Sequence, residues 1–247
     1  MSRRHPGRFV RGRRFLQARL SPEGYLGLHL TIGLLSIVLA CWAFGEIAQD
    51  FSSGFFASVD RSAAETSRSI VTPRLTSVVK SVTFLGSVPM LTIISFIVAI
   101  VLALKRALFR LSAFALTMTG GSALNIALKH LFERQRPALE DPLVTLASYG
   151  FPSGHTMGTT LLFGSIAIIL TSSAKSFGTR AFWFVLAAVW VLIIGATRIY
   201  LGAHYFTDVI GAISAGTAWL ALCWTAVETL RRWRLRQQYK PLSGEGT

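Results

Sequence analysis

Residues 82–104 read VTFLGSVPMLTIISFIVAIVLAL, a run of 23 residues without a charged side chain. In lipid the backbone has to satisfy its own hydrogen bonds, and a helix of about 20 apolar residues crosses a hydrocarbon core of roughly 30 Å. The run therefore predicts a membrane-spanning helix. Five more stretches qualify by the same reasoning: 25–47, 108–128, 156–173, 182–197 and 209–230.

The composition of the whole chain agrees with a membrane protein. Its 247 residues are 52% hydrophobic and 15% charged, with a mean hydropathy of +0.52, whereas soluble domains carry about a quarter charged residues. We predict an all-α, polytopic membrane domain with six spans over residues 25–230, flanked by basic segments at 1–24 and 231–247. Cys41 and Cys223 both lie in apolar stretches, so no disulfide framework or thiolate metal cluster is expected.

The basic residues are distributed unevenly along the chain. The formal net charge is +14, and the excess lies at the two ends and in the short turns at 105–110 and 175–180. A nucleic-acid-binding domain would carry such charge on a solvated surface, so that class is excluded. Because Lys and Arg near span ends are retained in the cytoplasm, both termini are predicted inside. The segments 48–81, 129–155 and 198–208 then lie on the outer face.

The first outer segment contains a candidate amphipathic helix. After Pro73, apolar residues recur with helical spacing at Leu75, Val78, Val79 and Val82. Such a helix between spans one and two would lie in the membrane interface or pack on the bundle as an ordinary connector. The sequence leaves both possibilities open.

The other two outer segments contain three short polar blocks. They are K-x6-R-P at 129–137, P-S-G-H at 152–155 and T-R-x5-H-x3-D at 197–208. Counting of spans, which uses no motif, places all three blocks on the same face of the membrane. The blocks can therefore converge on one site.

Two features of the blocks suit a phosphate group. Lys129, Arg136 and Arg198 supply three cations, and a phosphoryl transition state spreads negative charge over three oxygens that positioned cations stabilise. Arg offers a planar fork and Lys a point charge. Ser153 and Gly154 begin the fourth span, where free backbone N–H groups and the helix dipole attract anions.

Two histidines and a carboxylate complete the blocks. Covalent phosphoryl transfer needs a nucleophile and an acid for the leaving group, and His155 and His204 are available for these roles. Asp208 follows His204 by four residues, so the two would share a helix face if the sixth helix began early enough. A carboxylate in that place would fix the imidazole tautomer.

The remaining charges of the second outer segment are interpreted as loop charges. Arg134 lies outside the spacing pattern, so its side chain is expected to be solvated or to extend to the lipid headgroups. Glu133, Glu140 and Asp141 are scattered along a loop that also carries arginines, which is not typical of a cation site. No metal is expected at these carboxylates.

Together, the three blocks resemble the signature of the type 2 phosphatidic acid phosphatase superfamily over residues 129–208. The resemblance implies a bacterial membrane lipid phosphatase in which His204 forms a phosphohistidine. It implies that His155 protonates the leaving alcohol and then activates water, and that no metal or other cofactor takes part. Thr197 stands where the family usually has Ser, so a weaker phosphate contact is expected from it.

A site at the outer membrane surface suits an amphiphile whose tail stays in lipid. The resemblance implies undecaprenyl pyrophosphate, phosphatidylglycerophosphate or phosphatidic acid as substrate, with the site on the periplasmic or extracellular side of the cytoplasmic membrane. A lipid phosphotransferase would carry the same motifs and remains an alternative. A transporter or lipid-binding protein without turnover is a further alternative, against which the two histidines and Asp208 argue. The oligomeric state is left open.

Overall fold

The computed structural model describes residues 28–50, 54–137, 143–144 and 146–238. The predicted basic segment 1–24, the end of the C-terminal segment, and Glu140 and Asp141 lie outside these residues. Within them the regular structure is entirely helical. The helices are α1 (Leu28–Asp50), α2 (Gly54–Ser69), α3 (Pro73–Phe84), α4 (Val88–Leu104), α5 (Leu108–Phe132), α6 (Gly154–Thr171), α7 (Phe177–Tyr200) and α8 (Phe206–Gln238).

Among the described residues, six helical stretches are long and apolar enough to cross a membrane. The predicted all-α, six-span fold is therefore confirmed, with α3 and α4 together forming the second stretch, Pro73–Leu104. The observed helices extend beyond the apolar runs: α7 continues through Thr197 and Arg198, which are only 6% and 3% exposed. The predicted span ended at Thr197 and left out Arg198, because Arg198 is charged, although it faces the protein interior. The orientation of the termini stays a prediction.

Helix α6 lies at the centre of the bundle and packs against α5, α7 and α8. On one side Met157 and Leu161 pack on Ala212 of α8, and on another Leu162 packs on Phe114 of α5. Because apolar residues cover several faces of α6, the helix is fixed from all sides. Its N-terminal end, which carries one of the polar blocks, is held in place as a result.

Small residues allow the helices around α6 to approach closely. A Cβ atom added to Gly121 of α5 would lie 2.3 Å from Leu161 Cδ1, and one added to Gly195 of α7 would lie 2.6 Å from Val209 Cγ1. A side chain at either glycine position would force the neighbouring side chain to shift. Close packing through small residues is the usual way in which membrane helices associate.

Helices α2 and α3 connect the first and second spans. The Thr72 hydroxyl accepts the Leu75 backbone N–H at 3.2 Å and caps α3. The buried side chains of α3 are Thr76 and Thr83, whereas Val78 is 54% exposed. The predicted amphipathic helix therefore exists, and it packs on the bundle through its threonines. Its apolar side faces a groove that is described below.

Candidate active site

The three polar blocks meet at one end of the bundle. Lys129 lies in the last turn of α5 and Arg198 in the last turn of α7, while Ser153 precedes α6 and Asp208 lies in the first turn of α8. Because α5 and α7 end where α6 and α8 begin, these residues come together. The Ser153 backbone N–H donates to the Asp208 carbonyl oxygen at 3.1 Å and joins two of the blocks directly.

His204 and Asp208 form a buried pair. His204 Nδ1 lies 3.3 Å from Asp208 Oδ2, and the residues are 3% and 0% exposed. An ionised carboxylate only accepts hydrogen bonds, so Nδ1 carries the proton and Nε2 keeps its lone pair. Arg136 Nη1 lies 3.1 Å from His204 Nε2. The lone pair therefore faces a cation of the site.

The contact between His204 and Asp208 does not come from a shared helix face, because α8 begins at Phe206, after His204. Instead the Asp208 side chain reaches back and accepts the Tyr205 backbone N–H at 2.9 Å, as the acidic residue of a capping box does. The same carboxylate oxygen lies next to His204. The His204 backbone N–H donates to the Arg198 carbonyl oxygen at 3.3 Å, which holds the intervening loop.

Lys129 and Arg136 both hold the loop that precedes α6. Lys129 Nζ donates to the Tyr149 carbonyl oxygen at 2.6 Å. Arg136 Nε donates to the Ser148 carbonyl oxygen at 2.7 Å, and its Nη1 donates to the Ala203 carbonyl oxygen at 2.6 Å. The guanidinium thus bridges the loops before α6 and α8, next to the His204 ring.

Arg198 is held by a residue of α3. Its Nη1 donates to Thr83 Oγ1 at 3.0 Å, while its buried Nε has no hydrogen-bond partner among the described residues. The Thr197 hydroxyl lies 3.0 Å from the same Thr83 oxygen and 2.6 Å from the Ile194 carbonyl oxygen. Thr83 therefore organises both residues of the third block that lie in α7.

His155 lies in the first turn of α6 and is partly buried. Its ring is within electrostatic range of His204 and of the three cations Lys129, Arg136 and Arg198. The structure therefore brings both predicted histidines and all three predicted cations into one site.

The N-terminus of α6 is open to an anion. Ser153 occupies the N-cap position, but its side chain does not cap the helix; its Oγ accepts the Thr156 hydroxyl at 3.1 Å instead. A Cβ added to Gly154 would lie 3.3 Å from Asn125 Oδ1, so the backbone lies close to α5 here. Asn125 Nδ2 donates to the Pro152 carbonyl oxygen at 3.4 Å and supports the turn into the helix. Free N–H groups at a helix start bind phosphate well.

The prediction of a solvated Arg134 is wrong. Its side chain is 9% exposed and lies between two buried carboxylates, with Nη2 2.7 Å from Asp60 Oδ2 and Nη1 in contact with Asp208 Oδ1. Nη1 also donates to Thr207 Oγ1 at 2.7 Å, and the guanidinium lies 4.5 Å from the centroid of the Tyr205 ring. Paired carboxylates offset the cost of burying the charge. Spacing alone does not reveal such partners.

Sequence reasoning also missed Asp60 and Thr83, which lie on α2 and α3, far from the three blocks in the chain. Asp60 is 3% exposed, whereas Glu65 on the same helix is exposed. Nothing in the sequence of α2 distinguishes these two acids. Thr83 lies at the polar side of an amphipathic pattern, and its spacing of seven residues from Thr76 was the available signal for a buried polar stripe.

Burial lowers the pKa of two groups in the loops, His204 and Arg136. Burial, aided by Arg136 and Lys129 and opposed by Asp208, lowers the pKa of His204 from 6.5 to about 4. The imidazole is therefore neutral near pH 7, as a nucleophile has to be. Burial also lowers the pKa of Arg136, against the attraction of Asp208, but a guanidinium remains charged in proteins.

A cavity of about 200 Å³ opens next to His204. An apolar groove of about 800 Å³ lies between α2, α3 and α7. Ser67, Ile199, Tyr200 and Phe206 line both the cavity and the groove. The site is therefore adjacent to an apolar surface of the bundle.

The described part of the chain contains no group of three or more His, Cys, Asp or Glu side chains placed to hold a metal ion. The charged side chains that surround the His204 ring are mostly basic. A site surrounded by basic side chains suits an anion.

A family model described as the PAP2 superfamily matches residues 110–232, which include all three blocks. The chain belongs to the PAP2 superfamily. Over 178 residues it is 29% identical to phosphatidylglycerophosphatase B of Bacillus subtilis (strain 168), an alignment that covers 72% of this chain and 87% of that protein. It is also 32% identical over 99 residues to lipid phosphate phosphatase delta of Arabidopsis thaliana, covering 39% of this chain and 24% of the relative.

A solved structure supports the PAP2 fold. The crystal structure of a transmembrane PAP2 type phosphatidylglycerolphosphate phosphatase from Bacillus subtilis superposes with a TM-score of 0.67 at 25% identity, covering 84% of this chain and 98% of the other. This PAP2 chain is therefore an integral membrane protein and a phosphatase of the PAP2 lipid phosphatase family.

Proposed function

We propose that this PAP2 protein hydrolyses a lipid phosphate or diphosphate through a phosphohistidine on His204, at the outer face of the bacterial cytoplasmic membrane. The arrangement of His204 carries the proposal. Asp208 holds Nδ1 at 3.3 Å, and Nε2 presents its lone pair toward Arg136 at 3.1 Å. A phosphoryl group bound by Arg136 would lie within reach of that lone pair.

Five groups bind the phosphate in this proposal. Lys129, Arg136 and Arg198 neutralise its oxygens, while the Gly154 N–H at the start of α6 and the Ser153 hydroxyl donate to it. The Ser153 backbone N–H is already bonded to the Asp208 carbonyl oxygen. The unpartnered Nε of Arg198 supports this role, because a buried donor gains most from an anionic acceptor. Thr197, whose hydroxyl is engaged by Thr83 and a backbone carbonyl, contributes by supporting Arg198.

The reaction proceeds in two steps. His204 Nε2 attacks phosphorus, the bond from phosphorus to the lipid oxygen breaks, and His155 donates a proton to the departing oxygen. Asp208 stabilises the positive charge on the phosphorylated imidazole. In the second step water attacks phosphorus while His155 takes its proton, the P–N bond breaks, and inorganic phosphate leaves with His204 neutral again. The phosphate dianion brings negative charge that favours a protonated His155 beside three cations.

The groove supports a lipid as the substrate. Its lining includes Val78, Val79 and Ile193, and it shares four lining residues with the cavity next to His204. A lipid tail in the groove would bring its headgroup close to that cavity. The Bacillus subtilis relative and the Bacillus subtilis crystal structure are both named for phosphatidylglycerophosphate, so this lipid is the first candidate, ahead of undecaprenyl pyrophosphate and phosphatidic acid.

The charge distribution supports the outer face as the location of the site. The short turn with Lys105 and Arg106 lies at the end of the bundle opposite His204, as do Arg231 and Arg232 in the last turns of α8. Basic residues at this end are retained in the cytoplasm. The opposite end, with the three blocks, would then face the periplasm or the cell exterior.

The test is phosphate release from the three lipids by purified protein in detergent, with EDTA present and a lipid alcohol offered as acceptor. We expect free phosphate as the main product, undiminished by EDTA, and its loss in His204→Gln and His155→Gln. His130→Gln is the matched control, since His130 is an exposed histidine at the same end of the bundle. A phosphorylated acceptor as the main product would establish transfer instead. Turnover by His204→Gln, or a requirement for magnesium, would contradict the proposed chemistry.

A further inference from the structure

Asp60 connects α2 to the beginning of the helix that carries Asp208. It is 3% exposed, and its Oδ1 accepts the Thr207 backbone N–H at 2.9 Å. Its Oδ2 accepts the Thr207 hydroxyl at 2.6 Å and Arg134 Nη2 at 2.7 Å. The Thr207 N–H belongs to the first turn of α8 and has no partner within the helix, so Asp60 acts as a cap supplied by another helix.

Arg134 joins Asp60 to Asp208. One guanidinium contacts both buried carboxylates, through Nη2 on the Asp60 side and Nη1 on the Asp208 side. The planar fork of Arg spans two acceptors in a fixed geometry, which a lysine ammonium does not reproduce. The orientation of Arg134 therefore depends on Asp60.

The orientation of Asp208 depends on Arg134 in turn. With Oδ1 held by Arg134, Oδ2 is left for His204 Nδ1 and the Tyr205 backbone N–H. A rotation of this carboxylate would move the only described acceptor of His204 Nδ1. The proton would then be free to move to Nε2, and the lone pair needed for attack would be lost.

We propose that Asp60 and Arg134 are positioning residues for the phosphoryl-transfer step, acting through Asp208 on His204. The inference rests on the proposed function of His204. It makes α2, which lies outside the residues matched by the family model and outside the three sequence blocks, part of the catalytic apparatus. Asp60 itself contacts neither His204 nor the three phosphate-binding cations in the described hydrogen bonds.

The first test compares Asp60→Asn with Glu65→Gln. Both remove one negative charge from α2 by an isosteric change, but Glu65 is exposed. Displacement of a catalytic group by a fraction of its contact distance costs up to about 100-fold in rate. We expect Asp60→Asn to lower kcat about 10- to 100-fold with KM changed less than about threefold, and Glu65→Gln to leave both constants unchanged.

The second test is a double-mutant cycle with Asp208→Asn. If Asp60 acts only through Asp208, adding Asp60→Asn to Asp208→Asn has little further effect on kcat. Additive losses would overturn the proposal and indicate an independent role for Asp60. Arg134→Lys provides a second variant for the same cycle, because it keeps the charge but not the fork. An unaltered kcat in either single variant would equally overturn the proposal.

A readout that needs no turnover separates this proposal from the proposed function. In the NMR spectrum of detergent-solubilised protein, the His204 Nδ1–H proton should be shifted downfield by its hydrogen bond to Asp208. We expect Asp60→Asn to move that resonance upfield and Glu65→Gln to leave it in place. An unmoved resonance in Asp60→Asn would contradict the proposal even if the wild-type protein proved inactive toward every lipid tested.

Discussion

Thr83 offers a sharp test of how the fold prepares the phosphate site. Its hydroxyl oxygen is the acceptor for Arg198 Nη1 at 3.0 Å and lies 3.0 Å from Thr197 Oγ1. Thr83→Val keeps the shape of the side chain and removes the acceptor. Since Arg198 Nε already has no partner among the described residues, the variant leaves this buried guanidinium poorly held in the absence of substrate.

The size of the effect follows from the hydrogen bond that is lost. A hydrogen bond to a charged group contributes about 1.5–3 kcal/mol, and each 1.36 kcal/mol corresponds to a factor of ten. If that interaction fixes Arg198 for phosphate, kcat/KM should fall about 10- to 100-fold. The inhibition constant of inorganic phosphate, the product, should rise by a similar factor.

The matched control is Thr76→Val, two turns earlier on the same face of α3. The two threonines are 9% and 8% exposed, but the Thr76 hydroxyl bonds to the Tyr200 hydroxyl at 3.0 Å instead of to Arg198. Both variants should lower the unfolding temperature, and only Thr83→Val should weaken phosphate inhibition. Equal phosphate inhibition in both variants and the wild type would refute the idea that Thr83 prepares Arg198.

Two further outcomes follow from the structure. NMR titration of His204 should give a pKa of about 4, and a pKa near 6.5 would show that the ring is hydrated. Because the histidine of the unfolded chain takes up its proton near pH 6.5, the stability that depends on neutral His204 should be intact above pH 6.5 and be lost as the pH falls toward 4. Gly121→Ala should lower the free energy of unfolding by about 1–3 kcal/mol, since its Cβ would lie 2.3 Å from Leu161 Cδ1. Gly45→Ala should not, since its Cβ would lie 3.9 Å from Gln49 Nε2. Thermal unfolding in detergent measures both, and equal stability would show that α5 and α6 separate without cost.

The six spans were predictable because lipid imposes a length and a composition on each of them. The ends of the spans were less predictable from the sequence. Hydropathy ends the fifth span at 197, but α7 continues through Arg198 to Tyr200 because the polar residues at its end face the site. A hydropathy scale does not distinguish polar residues at the end of a helix from loop residues.

The candidate site was predictable where the residues lie close together in sequence. The blocks at 129–137, 152–155 and 197–208 revealed the cations and histidines that the structure brings together. Asp60 and the burial of Arg134 were not predictable, because a buried ion pair between α2 and a loop depends on tertiary contacts 74 residues apart in sequence. Thr83 was indicated only by its spacing of seven residues from Thr76. Only the fold reveals which charges are solvated.

Trapping of the intermediate tests the central claim most directly. Purified protein is mixed with phosphatidylglycerophosphate for milliseconds, quenched in alkali, in which phosphohistidine survives, and digested for peptide mass spectrometry. We predict a phosphoryl group on His204, formed at least as fast as phosphate is released and absent in His204→Gln. A wild-type protein that turns over while His204 stays unmodified, or that carries the phosphoryl group on another residue, would contradict the assignment of His204 as the nucleophile.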